Sequence, residues 1–155
     1  MPKNYWMLAT SPQVLAETLV QRCTTQPVPE QHRRKLERME PGDKVVYYLT
    51  ASRRFAAVAS VVSRSLEGSQ AHGEDARGEM TFKVSIRPEL VLGEADYLDA
   101  MQIGPRMEYT RKWIPEKWFL AFHGFLHLIP KNDFLLLEGE MRKVLHSRQS
   151  APRPG

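Results

Sequence analysis

Aromatic and basic side chains are the residues of this 155-residue sequence whose types could together bind an unstacked nucleobase. The aromatic candidates are Tyr5, Trp6, Tyr47, Tyr48, Trp113 and Trp118, and the basic candidates are Arg33, Arg34, Lys35 and Arg38. Aromatic rings stack on the faces of a base, while nearby cations contact the phosphates. Aromatic residues of small barrels also form the hydrophobic core, so composition leaves both interpretations open.

Patterns that would indicate catalysis are incomplete. His123 and His127 are four residues apart, but the glutamate of the H-E-x-x-H zinc motif and a third ligand are missing. Cys23 is the single cysteine, so an internal disulfide and a cysteine-based zinc site are excluded. The sequence also contains neither glycine-rich phosphate-binding motif. We therefore predict no catalytic residue, no metal site and no cofactor.

Positive charge is concentrated in two parts of the chain. Residues 3–64 contain ten Lys and Arg against five Asp and Glu, and residues 142–155 contain four against none. Such a distribution can orient a protein on a polyanion. Arg53 and Arg54, in a predicted hairpin link, could be either solvated or functional.

Length and composition indicate one soluble domain. A chain of this length can bury roughly two-thirds of its unfolded surface around a single core, and 42% hydrophobic with 26% charged residues is a globular balance. No apolar run approaches the ~18 residues that a membrane span needs. The start of the sequence lacks a signal-peptide pattern, so we expect a cytoplasmic protein. Residues 1–146 are predicted to form the domain and 147–155 a basic, disordered tail.

Local patterns predict alternating strands and helices. Ser11 followed by Pro12 indicates a helix start with serine as N-cap, whereas Pro27 and Pro29 indicate a loop. The predicted strands are 4–9, 44–50, 55–63, 80–86 and a continuation at 90–92, the predicted helices are 11–22, 30–39, 96–101 and 132–145, and 64–79 is predicted as a loop. This order predicts an α+β fold, a small mixed or antiparallel barrel with helices packed outside.

The ordered set of segments resembles the EVE domain family over about residues 4–145. The segments are N-Y-W-M-L-A-T-S (4–11), H-R-R-K-L-E-R-M-E-P-G-D (32–43), V-V-Y-Y-L-T (45–50), F-A-A-V-A-S-V (55–61), F-K-V-S-I-R-P (82–88), R-M-E-Y-T-R-K-W (106–113) and W-F-L-A-F-H-G (118–124). The resemblance implies a PUA-like small β-barrel of five to six mostly antiparallel strands flanked by helices, related to YTH domains. It also implies a non-enzymatic reader of a modified base, chiefly a modified cytosine in DNA, with RNA as the other nucleic acid considered.

The resemblance also implies where a base would bind. Thr10 and Ser11 fall where polar residues meet the base, and Val28 and Pro29 fall where one wall forms. YTH domains place a tryptophan near the latter position, and this chain has none. The predicted base pocket comprises Trp6, Thr10, Ser11, Val28, Pro29, Phe82, Trp113 and Trp118, and the predicted phosphate contacts are Arg33, Arg34, Lys35 and Arg38. Two alternatives stay open: an RNA-binding module without modified-base readout, and a small-molecule or nucleotide pocket.

Overall fold

A single mixed sheet with helices on both faces organises the computed structural model, which describes residues 4–29, 33–68, 79–110 and 126–150. The elements are β1 (Tyr5–Thr10), α1 (Pro12–Gln21), β2 (Cys23–Pro29), α2 (Arg33–Glu37), β3 (Lys44–Leu49), β4 (Arg54–Gly68), β5 (Glu79–Val91), β6 (Leu98–Asp99), α3 (Ala100–Ile103), β7 (Leu126–Ile129) and α4 (Lys131–Ser150). Short 3₁₀ turns occupy Glu94–Asp96 and Gly104–Arg106. The predicted α+β class is confirmed.

The sheet has seven strands in the order β2-β5-β4-β3-β1-β7, with β6 pairing beside β4. The β1–β3 pair is parallel, and the other pairs are antiparallel. The prediction of a barrel of five to six strands is wrong in this respect, because within the described ranges β2 and β7 end the sheet and do not pair. Proline has no N–H to donate, so Pro27 and Pro29 suit β2 to an edge position.

Residues 23–29 thus form a strand, although Pro27 and Pro29 indicated a loop. Their register against β5 runs from Cys23 opposite Ser85 to Pro29 opposite Glu79. The predicted loop at 64–79 is also partly wrong, because β4 continues to Gly68 and β5 begins at Glu79. Residues 69–78 of that predicted loop lie outside the described residues. The two long strands form an arm that extends past the start of β3, and β2 widens it to three strands.

One face of the sheet carries a core beneath α1 and α2. Trp6, Tyr47 and Phe82 contribute its large aromatic rings from β1, β3 and β5. Leu15 from α1 and Leu36 from α2 pack against them. Burial of these apolar side chains holds the two helices against the sheet, at roughly 25 cal/mol for each Å² removed from water.

The opposite face carries a second core beneath α4. The apolar side chains Phe134, Leu137 and Met141 of α4 are buried in this core, and Val144 packs against the same cluster. The helix extends to Ser150, so the first four residues of the predicted tail are helical. None of the helices in the described part of the chain is long and apolar enough to cross a membrane.

The predicted start of α1 is confirmed in detail. The Oγ of Ser11 accepts the N–H of Val14 at 3.2 Å, and Pro12 occupies the first turn. Arg22 ends the helix in the left-handed region with φ of 54°, and its N–H donates to the carbonyl of Thr18. The helix therefore begins directly at the end of β1 and returns the chain to the start of β2.

Candidate nucleic-acid interface

The four predicted phosphate-binding cations on and beside α2 differ in what they already contact. The Nε of Arg33 donates to the Oε1 of Glu37 at 2.7 Å, an ion pair one helical turn along. The Nζ of Lys35 donates to the carbonyl of Leu126 on β7 at 3.0 Å. Lys35 therefore helps to fix the helix, and Arg33 is partly neutralised.

Arg34 and Arg38 remain available for an external anion. Both side chains are exposed, and neither makes a hydrogen bond or ion pair with any described residue. The N–H of Arg38 donates to the carbonyl of Lys35 at 3.2 Å, which continues the last turn of the helix. Residues four apart on a helical turn are neighbours, so these two guanidinium groups are close enough to contact the same external polyanion.

Arg64 of β4 holds the C-terminal end of α2. The sequence did not predict this role, because Arg64 falls in the predicted loop at 64–79. Its Nε donates to the carbonyl of Met39 at 2.9 Å, and its Nη2 donates to the carbonyl of Glu37 at 2.8 Å. A cation that donates to the last carbonyls of a helix satisfies acceptors that otherwise lack intrahelical partners. The position of Arg34 and Arg38 is thereby fixed relative to the sheet.

A buried carboxylate ties α2 to the start of β1. Asp43 is 1% exposed, and it accepts the N–H of Asn4 at 3.2 Å, the indole Nε1–H of Trp6 at 3.0 Å and the N–H of Glu40 at 3.0 Å. We call these four residues the Asp43 cluster. Gly42, with φ of +93°, supplies the left-handed backbone that turns the chain into Asp43.

Within the 32–43 segment, four residues have structural roles: Leu36, Met39, Gly42 and Asp43. Leu36 and Met39 are fully buried in the core beneath α2. The turn at Gly42 then delivers Asp43 to its three donors. This part of the EVE-like pattern specifies how α2 joins β3, and it contributes no exposed binding group.

Trp6 and Phe82 lie in the core rather than on a pocket wall. Both side chains are 0% exposed, and the polar atom of Trp6 already donates to Asp43. A ring with no exposed face cannot stack on a base unless the core opens. The predicted pocket roles of the two residues would therefore require the core to open, since packing encloses both rings and Trp6 is also hydrogen-bonded to Asp43.

Thr10 and Ser11, in contrast, lie at an accessible end of the sheet. Thr10 is half-buried, Ser11 is exposed, and the carbonyl of Thr10 accepts the N–H of Thr50 at 3.3 Å. The carboxyl ends of the parallel strands β1 and β3 meet here, a position where sheets of this kind often bind ligands. The first turn of α1 contains no acidic residue, so its N-terminal dipole is not countered locally.

The β3–β4 turn brings two further arginines to the same end. Arg53 adopts the left-handed region with φ of 55°, and its Nη1 lies 3.8 Å from the sulfur of Met101. The Nη1 of Arg54 donates to the carbonyl of Glu94 at 3.4 Å. Burial raises the pKa of the neighbouring Tyr48, and the positive charge of Arg53 opposes that rise. Both arginines are exposed, and both already have protein contacts.

The C-terminal end of α2 and the end of β1 lie apart along the sheet. The Nδ2 of Asn4 donates to the carbonyl of Arg38 at 3.2 Å, so α2 ends beside the start of β1. Thr10 is six residues further along, about 20 Å at ~3.3 Å per residue. Arg38 and Thr10 would therefore contact different parts of a strand, whereas Lys35 reaches the carbonyl of Leu126, which lies opposite Leu8 near the end of β1.

The remaining predicted residues are only partly described. The backbone places Val28 opposite Met80 and Pro29 opposite Glu79, and their side chains lie outside the described part. Trp113, Trp118 and His123 also lie outside it. His127 is nearly buried on β7, and its Nδ1 lies 2.7 Å from the hydroxyl oxygen of Tyr109. No group of three or more potential metal ligands occurs among the described residues.

With this geometry established, comparison with known proteins identifies the class. The family model of the EVE domain matches residues 4–103. The chain therefore belongs to the EVE domain family, and the resemblance of the sequence segments is confirmed. The comparison with curated proteins finds no match. EVE and YTH-like domains are binding modules.

Solved structures with the same fold include YTH domains. The structure is similar to the Mmi1 YTH domain in a complex with RNA, with a TM-score of 0.64 and 10% identity over 96% of this chain and 87% of that one. It is also similar to the YTH domain of Zygosaccharomyces rouxii MRB1 in complex with N6-methyladenosine RNA. The TM-score is 0.56, with 12% identity over 89% of this chain and 86% of that one. A third similar structure is PSPTO5229 from Pseudomonas syringae. The TM-score is 0.58, with 11% identity over 88% of this chain and 99% of that one. At these identities the similarity establishes the fold.

Proposed function

We propose that this chain is a non-enzymatic module that binds nucleic acid carrying a modified base, a modified cytosine in DNA, in the cytoplasm. Membership of the EVE family carries the proposal. The fold adds support, since solved YTH domains of the same architecture hold RNA. We place the base at the end of β1, beside Thr10 and Ser11, with Trp113 and Trp118 as the ring-bearing candidates.

Discrimination between a modified and a plain base requires more than an added methyl contact. Burial of one methyl group contributes only ~0.8 kcal/mol, about fourfold in affinity. Stacking contributes ~1–3 kcal/mol per base but is indifferent to the modification, and extraction of a base from a duplex costs a few kcal/mol. A selective site must therefore penalise the plain base, for example through a pocket polar group left unpaired.

Thr10 and Ser11 have the chemistry for that task. A hydroxyl has one donor and two acceptor sites. Ser11 uses one acceptor site for the N–H of Val14, so its own O–H is left to donate to a base. The backbone N–H groups of the first turn of α1 are further donors at the same place.

A pair of oligonucleotides that differ only by a modified cytosine tests the proposal. We expect the wild-type chain to prefer the modified strand, and Thr10→Val to reduce the ratio of the two affinities. Thr81→Val, at an exposed position of β5, is the matched control and should leave the ratio unchanged. Equal affinity of the wild type for both strands would refute modified-base recognition.

Trp118→Ala tests the stacking part of the pocket. We expect binding of the modified strand to weaken by about tenfold or more, from the ~1–3 kcal/mol of base–aromatic stacking. Trp118→Phe keeps a ring and should recover part of the affinity. Binding that is unchanged in both variants would remove Trp118 from the site.

RNA is the second candidate partner, because similar solved structures include YTH domains with RNA. The same assay with structured RNA and with N6-methyladenosine RNA separates the two. Tighter binding of structured RNA without any preference for a modified base would favour the backbone-reading alternative over our proposal.

A further inference from the structure

The three-stranded arm presents a second polar surface that the predicted site did not include. On β5, the inward side chains Phe82, Val84 and Ile86 are buried, whereas Lys83 and Arg87 between and beyond them are exposed. This alternation of period two means that one face of the arm packs on the core and the other meets solvent.

The register aligns hydroxyl groups beside these cations. Lys83 lies between Thr25 on β2 and Ser65 on β4, and Ser85 lies between Cys23 and Ser63. We call this surface the arm face, and its residues are Cys23, Thr25, Ser63, Ser65, Lys83, Ser85 and Arg87. Neighbouring strands are ~4.8 Å apart, so each row of three side chains spans about 10 Å.

The arm face continues the sheet face that α4 covers elsewhere. Val46, Phe55 and Val58 of that face are buried in the core beneath α4. Toward the arm the same face changes mainly to Ser, Thr, Lys and Arg, with Cys23 among them, and the residues there are exposed or half-buried. The exposed Val62 lies at the β-bulge before Ser63. A sheet face of this composition cannot gain much by packing on a hydrophobic partner, so a polar and anionic partner suits it.

The charge of the arm face is positive. Lys83 and Arg87 are exposed. The neighbouring carboxylate is Glu89, whose side chain is 20% exposed. Glu89 accepts hydrogen bonds from the Nζ of Lys44 at 2.5 Å and from the Oγ of Ser60.

Glu89 is thus already committed to internal partners. Partial burial alone raises its pKa, but the hydrogen bonds from Lys44 and Ser60 outweigh that effect, and the net pKa lies below its ordinary value. Arg87 lies 4.0 Å from the same carboxylate and keeps a side chain that is 72% exposed. Further along the arm the register pairs Thr81 with Glu67, where the acid-rich stretch of the sequence begins.

We propose that the arm face, which lies toward the start of β1 rather than its end, binds a distant part of the sugar–phosphate backbone of the nucleic acid whose modified base is held at the end of β1. This inference rests on the proposed function for the identity of the partner as a nucleic acid. Half to two-thirds of protein–DNA hydrogen bonds go to phosphate and sugar, from Arg, Lys, Ser and Thr among others. Lys83 and Arg87 are about 13 Å apart along β5, about four steps of 3.4 Å along one strand of DNA.

The test is the salt dependence of binding to a single-stranded oligonucleotide that carries the modified cytosine. In the double variant Lys83→Ser with Arg87→Ser, we expect weaker binding and a slope of log K against log salt reduced by about 1.4, since each lost phosphate contact contributes ~0.7. The matched control is Lys131→Ser with Arg142→Ser, which removes the same charges from α4 and should leave the slope nearly unchanged.

The outcomes separate this inference from the proposed function. A normal preference for the modified strand with an unchanged slope in the arm-face variant overturns the arm face alone. An equal decrease of the salt slope in the α4 control also overturns it, because the net charge of the chain would then be enough to explain the salt dependence. A reduced slope in a chain with no preference for the modified base supports the arm face and refutes the modified-base proposal. Absence of any binding by the wild type refutes both.

Discussion

The two ends of β1 differ in how their polar groups are used. At the start, Asn4 and Trp6 donate to Asp43, and the indole is sealed in the core. At the end, Thr10 and Ser11 lie beside the N-terminus of α1, and the hydroxyl of Ser11 faces solvent. One end therefore stabilises the fold, and the other has groups left for a ligand.

This difference shows why an aromatic residue does not by itself indicate a stacking site. The indole of Trp6 has its own internal acceptor, and buried tryptophan N–H groups usually find such a partner. What distinguishes a candidate binding group is a donor or acceptor that the fold leaves unused. By that criterion Arg34 on α2 and Arg38 just beyond it qualify, while Lys35 does not.

The largest expected effect on stability comes from truncation of a side chain at the start of β1, where the indole of Trp6 is buried. Trp6→Ala should lower the free energy of unfolding by about 3–5 kcal/mol, the usual cost of removing a large buried aromatic side chain. Urea denaturation measures it. Trp6→Phe keeps most of the packing and should cost less. Near-wild-type stability of Trp6→Ala with loss of base binding would return Trp6 to the pocket.

Asp43→Ala tests the same end through its hydrogen bonds. The substitution leaves the donors of Asn4, Trp6 and Glu40 without their acceptor, and each unsatisfied buried donor costs ~1–3 kcal/mol. We expect a loss of about 3 kcal/mol in the free energy of unfolding. Asp43→Asn keeps one acceptor oxygen, so its free energy of unfolding should lie between those of the wild type and Asp43→Ala. A loss below 1 kcal/mol in Asp43→Ala would show that the Asp43 cluster does not fix the fold.

Substitutions on α2 divide its cations into two pairs. Arg34→Gln with Arg38→Gln should reduce the salt slope for single-stranded nucleic acid by about 1.4 and leave stability unchanged. Arg33→Gln with Lys35→Gln should change the slope less. It should also cost ~0.5–1.5 kcal/mol of stability, because the hydrogen bond of Lys35 to Leu126 is lost. Equal slopes in the two variants would contradict this division.

Ser11 combines a modest stability effect with the sharpest test of the polar end of β1. Ser11→Ala removes the N-cap and should cost ~1 kcal/mol of stability. Ser11→Asn retains a good N-cap residue but replaces the hydroxyl. We therefore expect Asn to restore thermal stability without restoring the preference for the modified strand. Recovery of both properties by Asn would show that Ser11 serves only the helix.

The parts of the fold that sequence predicted are those with strong local signals. Ser11 followed by Pro12 predicted the start of α1, and the strand predicted at 44–50 and the helix predicted at 132–145 correspond to β3 and α4. The two prolines of β2 obscured a strand, because an edge strand tolerates residues that a central strand excludes. Closure of the sheet could not be inferred locally, since it depends on whether distant edges meet.

The candidate site was predictable in residue type but not in burial. Thr10, Ser11, Arg34 and Arg38 are accessible as expected, whereas the burial of Trp6 depends on Asp43, which is 37 residues away in sequence. The exposed side chains of the arm face follow from the alternation around Phe82 and Val84, a signal present in the sequence. That these side chains form one surface with those of β2 and β4 could be seen only from the register of the three strands.

Nuclear magnetic resonance of the ¹⁵N-labelled chain during titration with a modified-cytosine oligonucleotide tests the central claim most directly. The account predicts that the backbone amide signals of Thr10 and Ser11 shift strongly, while the indole N–H signal of Trp6 stays in place because Asp43 holds it. A large change in the Trp6 indole signal, with Thr10 and Ser11 unmoved, would contradict the account and place the base at the other end of β1.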